Sequence, residues 1–168
     1  MGGVLYRVET QGQIDLYRDA FLVGIRNIIA EQSFFPTTPD QLLSQLSEYV
    51  SCPTNGLWIV LDRGRLVCWA SAKVYHDGPA DAVRKTVSIT YAWAAPDSGV
   101  WSPVVMVAIE EWAKAEGAYA VYCTRQTRIP AFARLMRRYG WHRVAVAFGK
   151  DFRQESNGVL ADLSLIHI

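Results

Sequence analysis

Few side chains in this sequence could move a proton or act as a nucleophile. Tyr91 sits in one apolar run, Tyr122 and Cys123 sit together in another, and His76 with Asp77 precede a Gly-Pro turn. A phenol can donate to a developing oxyanion or to a departing thiolate, and an imidazole or thiol can serve as base or nucleophile. Each of these residues also has a plain structural role. Tyr91 and Tyr122 suit a core or the wall of a cleft, Cys123 a buried thiol, and His76 with Asp77 an exposed turn. No Gly-x-Ser-x-Gly elbow of a hydrolase is present, and neither the P-loop nor the dinucleotide-binding glycine pattern occurs. Cys52, Cys68 and Cys123 are far apart with no CxxC pair, so they read as reduced thiols and no metal site is expected.

Groups that could hold an anion are better placed. In Pro96-Asp-Ser-Gly-Val-Trp-Ser-Pro103 a turn leads into an amphipathic helix, with Ser102 suited to cap it and Pro103 to its first position. Unpaired amides and the positive end of the helix dipole favour a phosphate there, although Asp97 opposes it and Pro103 lacks an amide donor. Further on, Arg134, Arg137 and Arg138 share one side of a helix, near Arg125, Arg128, Arg143 and Lys150. That face suits coenzyme phosphates, a nucleic-acid backbone or an acidic protein, or equally water.

The elements that must position these residues follow from periodicity. A weak alternation over 4–9 predicts a strand. Apolar residues at helical spacing predict a helix over 13–31, and Thr38 with Pro39 starts a second that turns Leu42, Leu43, Leu46 and Tyr49 inward. Strands over 57–61 and 65–75 join at Asp62-Arg-Gly64, a tight-hairpin signal. The run 86–94 alternates Val87, Ile89, Tyr91 and Trp93, and a helix from Ser102 carries Val104, Val105, Ile109 and Trp112 until Gly117 closes it. A strand over 118–124, a helix over 130–139 and a strand over 141–148 complete the order. The result is an α/β (α+β) domain: a mixed, mostly antiparallel sheet of six to seven strands flanked by about four helices.

This order of elements resembles the GCN5-related N-acetyltransferase superfamily, and at motif level the likeness runs from Ala92 to Trp141. The resemblance implies acetyl-coenzyme A as cofactor, an amine as acceptor, and direct attack of the amine on the thioester in a ternary complex. It places the pyrophosphate and pantetheine against Ala94, Ala95, Gly99, Val100, Trp101, Ser102 and Val104, with Arg128 and Arg134 toward the adenosine phosphates. It makes Tyr122 and Tyr91 the catalytic candidates, since the family splays its fourth and fifth strands around the thioester. The chain also departs from the family. Only Gly99 remains of the small-residue loop, Trp101 and Val104 add bulk, Met136 stands where a proton-donating Tyr is frequent, and Ile129 where an Asn is frequent. Short divergent members occur among bacteriophage proteins, including internal virion components. A module that has lost turnover and serves in binding or virion assembly is therefore the alternative, and a nucleic-acid-associated modification protein is a third.

With 168 residues and 51% hydrophobic side chains, the chain suits one domain with its own core. A net charge of +1 argues against a generic polyanion binder. No apolar run suits a signal peptide or membrane span, so a cytoplasmic protein is expected, in a host cell or a virion if phage-encoded. The expected domain covers 1–162. The final residues, Leu163-Ser-Leu-Ile-His-Ile168, can be written by codons matching a transposon end used in sequencing libraries, and are expected to be an assembly scar.

Overall fold

A computed structural model of the chain describes residues 3–31, 37–78, 83–123 and 137–138. Two compact units divide the chain, Met1–Thr124 and Arg125–Ile168. In the second, Arg137 and Arg138 are helical with exposed side chains. The expected strand over 141–148, the 163–168 tail, and Arg128, Ile129, Arg134 and Met136 lie outside the described residues.

The first unit is built on a five-stranded sheet in the order β1-β2-β3-β4-β5: Val4–Arg7, Asn55–Asp62, Arg65–Asp77, Arg84–Ala94 and Ala120–Cys123. The pairs β1–β2, β2–β3 and β3–β4 are antiparallel, and β4–β5 is parallel. The β2–β3 hairpin turns through Arg63 and Gly64, whose φ values of 51° and 76° are the paired left-handed conformations of a tight turn. The parallel pair needs a crossover, supplied by a 3₁₀ segment, Pro96–Trp101, and helix α4, Ser102–Ala115.

The helix expected over 13–31 is two helices, α1 (Gln11–Leu16) and α2 (Arg18–Glu31), because the backbone leaves helical values at Tyr17, φ −112° and ψ 20°. The break lets Ile14 and Phe21 both be fully buried. Helix α3, Pro39–Ser51, starts as its sequence suggests: the Thr38 hydroxyl accepts from the Gln41 amide at 3.2 Å, and the Gln41 side chain accepts from the Thr38 amide at 2.8 Å.

Helices α1 to α3 cover one face of the sheet, packing Phe21, Ile25, Leu42 and Leu46 onto Leu57, Ile59 and Trp69. Gly24 of α2 makes the close approach possible, since a Cβ there would stand 2.7 Å from Trp69 Nε1 and 2.8 Å from Trp93. The opposite face carries α4, whose Trp112 meets Trp58 edge-on at 5.2 Å.

Val87, Ile89, Tyr91 and Trp93 do not share a face. Ser71 pairs with Tyr91 and Ala72 with Ile89, so Thr90 is an extra residue in β4. Because Ser71 and Ala72 are adjacent and point oppositely, the bulge puts Ile89 and Val87 on the α4 face and Tyr91 and Trp93 on the other.

Candidate active site

β4 carries Tyr91, pairs with the strand of Tyr122 and Cys123, and leads into the segment before Ser102. Its first half, Thr86 to Ile89, pairs with Ala120 to Cys123 of β5. The bulge at Thr90 follows, and the edge from Thr90 to Ala94 faces no described strand.

The bulge is held by hydroxyls. Tyr49 of α3 donates to Thr90 Oγ1 at 2.8 Å, and Thr90 donates to the Ser71 carbonyl at 3.2 Å. The Ser71 hydroxyl, fully buried, lies 2.8 Å from the same Thr90 oxygen. With the Thr90 proton committed to the carbonyl, the Ser71 hydroxyl donates to Thr90, so the oxygen accepts twice and donates once. Next to it, Tyr91 donates to Gln45 Oε1 of α3 at 3.3 Å. Burial raises the pKa of the Tyr49 phenol against the lowering effect of Thr90, and burial followed by nearby Tyr75 raises that of Tyr91. Tyr91 is therefore a proton or hydrogen-bond donor at neutral pH and not a base.

Tyr122, opposite Ser88, falls on the same face as Tyr91 by register. Its hydroxyl lies 3.2 Å from that of Tyr119, so the two candidate tyrosines make hydrogen bonds to different partners. Cys123 is half-buried at the end of β5 and His76 is exposed in β3 rather than in a turn.

The segment expected to hold a phosphate differs from its expected form. Ala94 pairs with Cys68, the Ala95 amide bonds the Val67 carbonyl at 2.8 Å, and the Ser98 amide bonds the Ala95 carbonyl at 2.8 Å. Gly99, Val100 and Trp101 belong to the 3₁₀ segment that runs directly into α4. Ser102 is thus the first residue of the α-helix and not an extended cap, and its side chain is hydrogen-bonded to the Cys68 thiol. Burial of that thiol pushes its pKa up to about 12, which makes Cys68 a structural group. Val104, at 38% exposure, is open to solvent on the first turn of α4.

Spacing had turned Tyr49 inward, and a buried tyrosine calls for a hydroxyl partner; that was the available signal for the Thr90 contact. Nothing in the run Ser88-Ile-Thr-Tyr-Ala92 announces an inserted residue, so Thr90 and Ser71 could not be found from sequence.

No family model matches the chain, and no curated protein matches it in sequence. Solved structures do match. A mutant BH1408 protein from Bacillus halodurans superposes with a TM-score of 0.69 at 14% identity, over 89% of this chain and 99% of that one. The aminoglycoside N-acetyltransferase AAC(6')-Iy, bound to the bisubstrate analogue CoA-S-monomethyl-acetylneamine, gives 0.68 at 13% identity, over 90% and 99%. A GNAT family acetyltransferase of Staphylococcus aureus gives 0.64 at 10% identity, over 90% and 100%. The chain has the fold of the GCN5-related N-acetyltransferases, a mixed sheet flanked by helices. Five of the six to seven expected strands are among the described residues.

Proposed function

We propose that the protein is an acetyl-coenzyme A-dependent N-acetyltransferase acting on an amine by direct attack in a ternary complex. The observation that carries this reading is β4, which joins a bulge at Thr90–Tyr91 to an exit into the helical segment behind Pro96. A cofactor lying along that edge would have its thioester near Tyr91 and its pyrophosphate near the start of α4. Likeness in fold to an enzyme seen with a coenzyme A bisubstrate analogue supports the same reading.

In the proposed reaction the amine nitrogen attacks the thioester carbonyl, the carbon–sulfur bond breaks, and coenzyme A leaves as thiolate. The amine proton passes to solvent through water, and the thiolate takes a proton from a phenol or from water. Tyr91, protonated at neutral pH, is suited to donate to the carbonyl oxygen or the sulfur, and Tyr122 is the second candidate. The proposed cofactor contacts in the first unit are Ala94, Ala95, Gly99, Val100, Trp101, Ser102 and Val104; Arg128 and Arg134, expected toward the adenosine phosphates, lie outside the described residues. Among the described residues no helix is long and apolar enough to cross a membrane.

Thermal denaturation with acetyl-coenzyme A tests the cofactor. Saturation at a hundredfold over Kd should stabilise the protein by about 2.7 kcal/mol. An unchanged melting temperature at millimolar cofactor would remove the enzyme reading and leave the binding-module alternative.

A further inference from the structure

Beside the bulge, the polar groups of the α3-covered face fall into two sets. Tyr49 is held by Thr90 at 2.8 Å, and Tyr91 makes a long, exposed hydrogen bond to Gln45 at 3.3 Å that a substrate can replace. Lys73 and Tyr75 of β3 form the other set. Among the described residues neither the Lys73 ammonium nor the Tyr75 hydroxyl has a hydrogen-bond or ion-pair partner.

Both lie on the face of Ser71 and Tyr91, because residues 71, 73 and 75 alternate in step along β3. The Lys73 Nζ stands 5.5 Å from the Tyr75 ring centroid. Tyr75 is 41% exposed and close enough to Tyr49 and Tyr91 to influence both phenols. On its other side Lys73 faces Cys52, whose thiol pKa is lowered first by hydrogen bonds from Thr54 and further by the lysine charge. The neighbours of half-buried Lys73 thus include a phenol and a thiol, and among the described residues no carboxylate pairs with it. Glu48 of α3 is exposed and makes no ion pair with it.

A cation on a half-buried residue that lacks a counterion can take one from a ligand, and an anion that supplies it is bound with charge-assisted hydrogen bonds. From the chemistry of these groups we infer that Lys73 and Tyr75 bind an anionic group, carboxylate or phosphate, carried by the amine acceptor. One residue of β3, Ala72, lies between Lys73 and Ser71, the partner of Tyr91, so the backbone positions of Lys73 and Ser71 are on the order of 7 Å apart on one face. Lys73 repels a second ammonium and the cluster offers it no negative partner, so a polyamine is a poor acceptor.

This inference rests on the proposed transferase activity, and its test separates the two. Aminohexanoate, aminopentyl phosphate and hexylamine are compared as acceptors by coenzyme A release, in wild type and in Lys73→Met. Wild type should prefer the amines that carry an anionic group, and the ratio of kcat/KM for these over hexylamine, which carries none, should fall about tenfold or more in Lys73→Met. Lys73→Glu should invert the preference, and the better of the two anionic probes tells carboxylate from phosphate. Calorimetric titration of the same amines without cofactor gives a reading independent of turnover: binding of an anionic amine that weakens about tenfold in Lys73→Met supports the inference. An unchanged ratio, or equal binding of all three probes by wild type, overturns it while leaving acetyl transfer intact. Failure to bind acetyl-coenzyme A overturns the transferase reading instead, and the calorimetry still decides the anion site.

Discussion

Tyr49 and Thr90 are joined by a 2.8 Å hydrogen bond that ties helix α3 to the one extra residue of β4. The bond fixes the point where β4 changes face, and so the place of Tyr91. Tyr49→Phe removes one of two donors to Thr90 and should cost about 0.5–1.5 kcal/mol. Thr90→Val strands the hydroxyls of Tyr49 and Ser71 and should cost more, about 1–3 kcal/mol or above. Urea melts of both single variants and the double should show clear non-additivity. Simple additivity would mean that the hydroxyl chain is not coupled.

Tyr91→Phe separates chemistry from stability. Its bond to Gln45 is long, 3.3 Å, and exposed, so the melting temperature should hardly move. If the phenol donates in the transition state, kcat should fall about a hundredfold with little change in KM. The same substitution at Tyr122 tests the second candidate. A rise in KM alone, or no change in either constant, would take either residue out of the reaction.

Gly24→Ala places a methyl against Trp69 and Trp93, where the gaps are 2.7 and 2.8 Å to a hypothetical Cβ. Since both neighbours are ring atoms packed on the sheet, α2 must move away. A loss of about 1–3 kcal/mol is expected in chemical denaturation, with a shift in tryptophan fluorescence. Unaltered stability would mean that α2 does not pack against these rings.

Stability should fall at alkaline pH through Cys68. Its folded pKa, raised to about 12 by burial, exceeds the unfolded value, so the unfolded chain loses its proton first. The contribution is complete below the unfolded pKa and is lost as pH rises toward 12. The slope should approach about 1.4 kcal/mol per pH unit, with Tyr49 and Tyr91 adding to it at higher pH. Denaturation at successive pH values should show a shallower decline in Cys68→Ala than in wild type. Equal declines would mean that Cys68 is not the group responsible.

Much of this architecture was legible in the sequence. The hairpin at Arg63–Gly64, the Thr38 cap and the order of strands and helices follow from local rules, because the residues that decide them are adjacent. What escaped was set by contacts distant in sequence. Alternation over 86–94 implied one face for Val87, Ile89, Tyr91 and Trp93, and an inserted Thr90 divided them. Ser102 fitted a cap, yet the 3₁₀ turn before it made it helical and Cys68 took its side chain. Lys73 was one cation in an apolar strand; alternation along β3 sets it on the face of Tyr75, and β3–β4 pairing sets Tyr91 on that same face.

The central claim is that an acetyl group passes from coenzyme A to an amine on this chain. Mixing the protein with acetyl-coenzyme A and a panel of amines, and following free thiol together with product mass, tests it most directly. Thiol release that depends on both amine and enzyme, with an acetylated amine as product, is the expected result. Bound acetyl-coenzyme A with no amine-dependent release across amines with an anionic group, simple alkylamines and polyamines would contradict it.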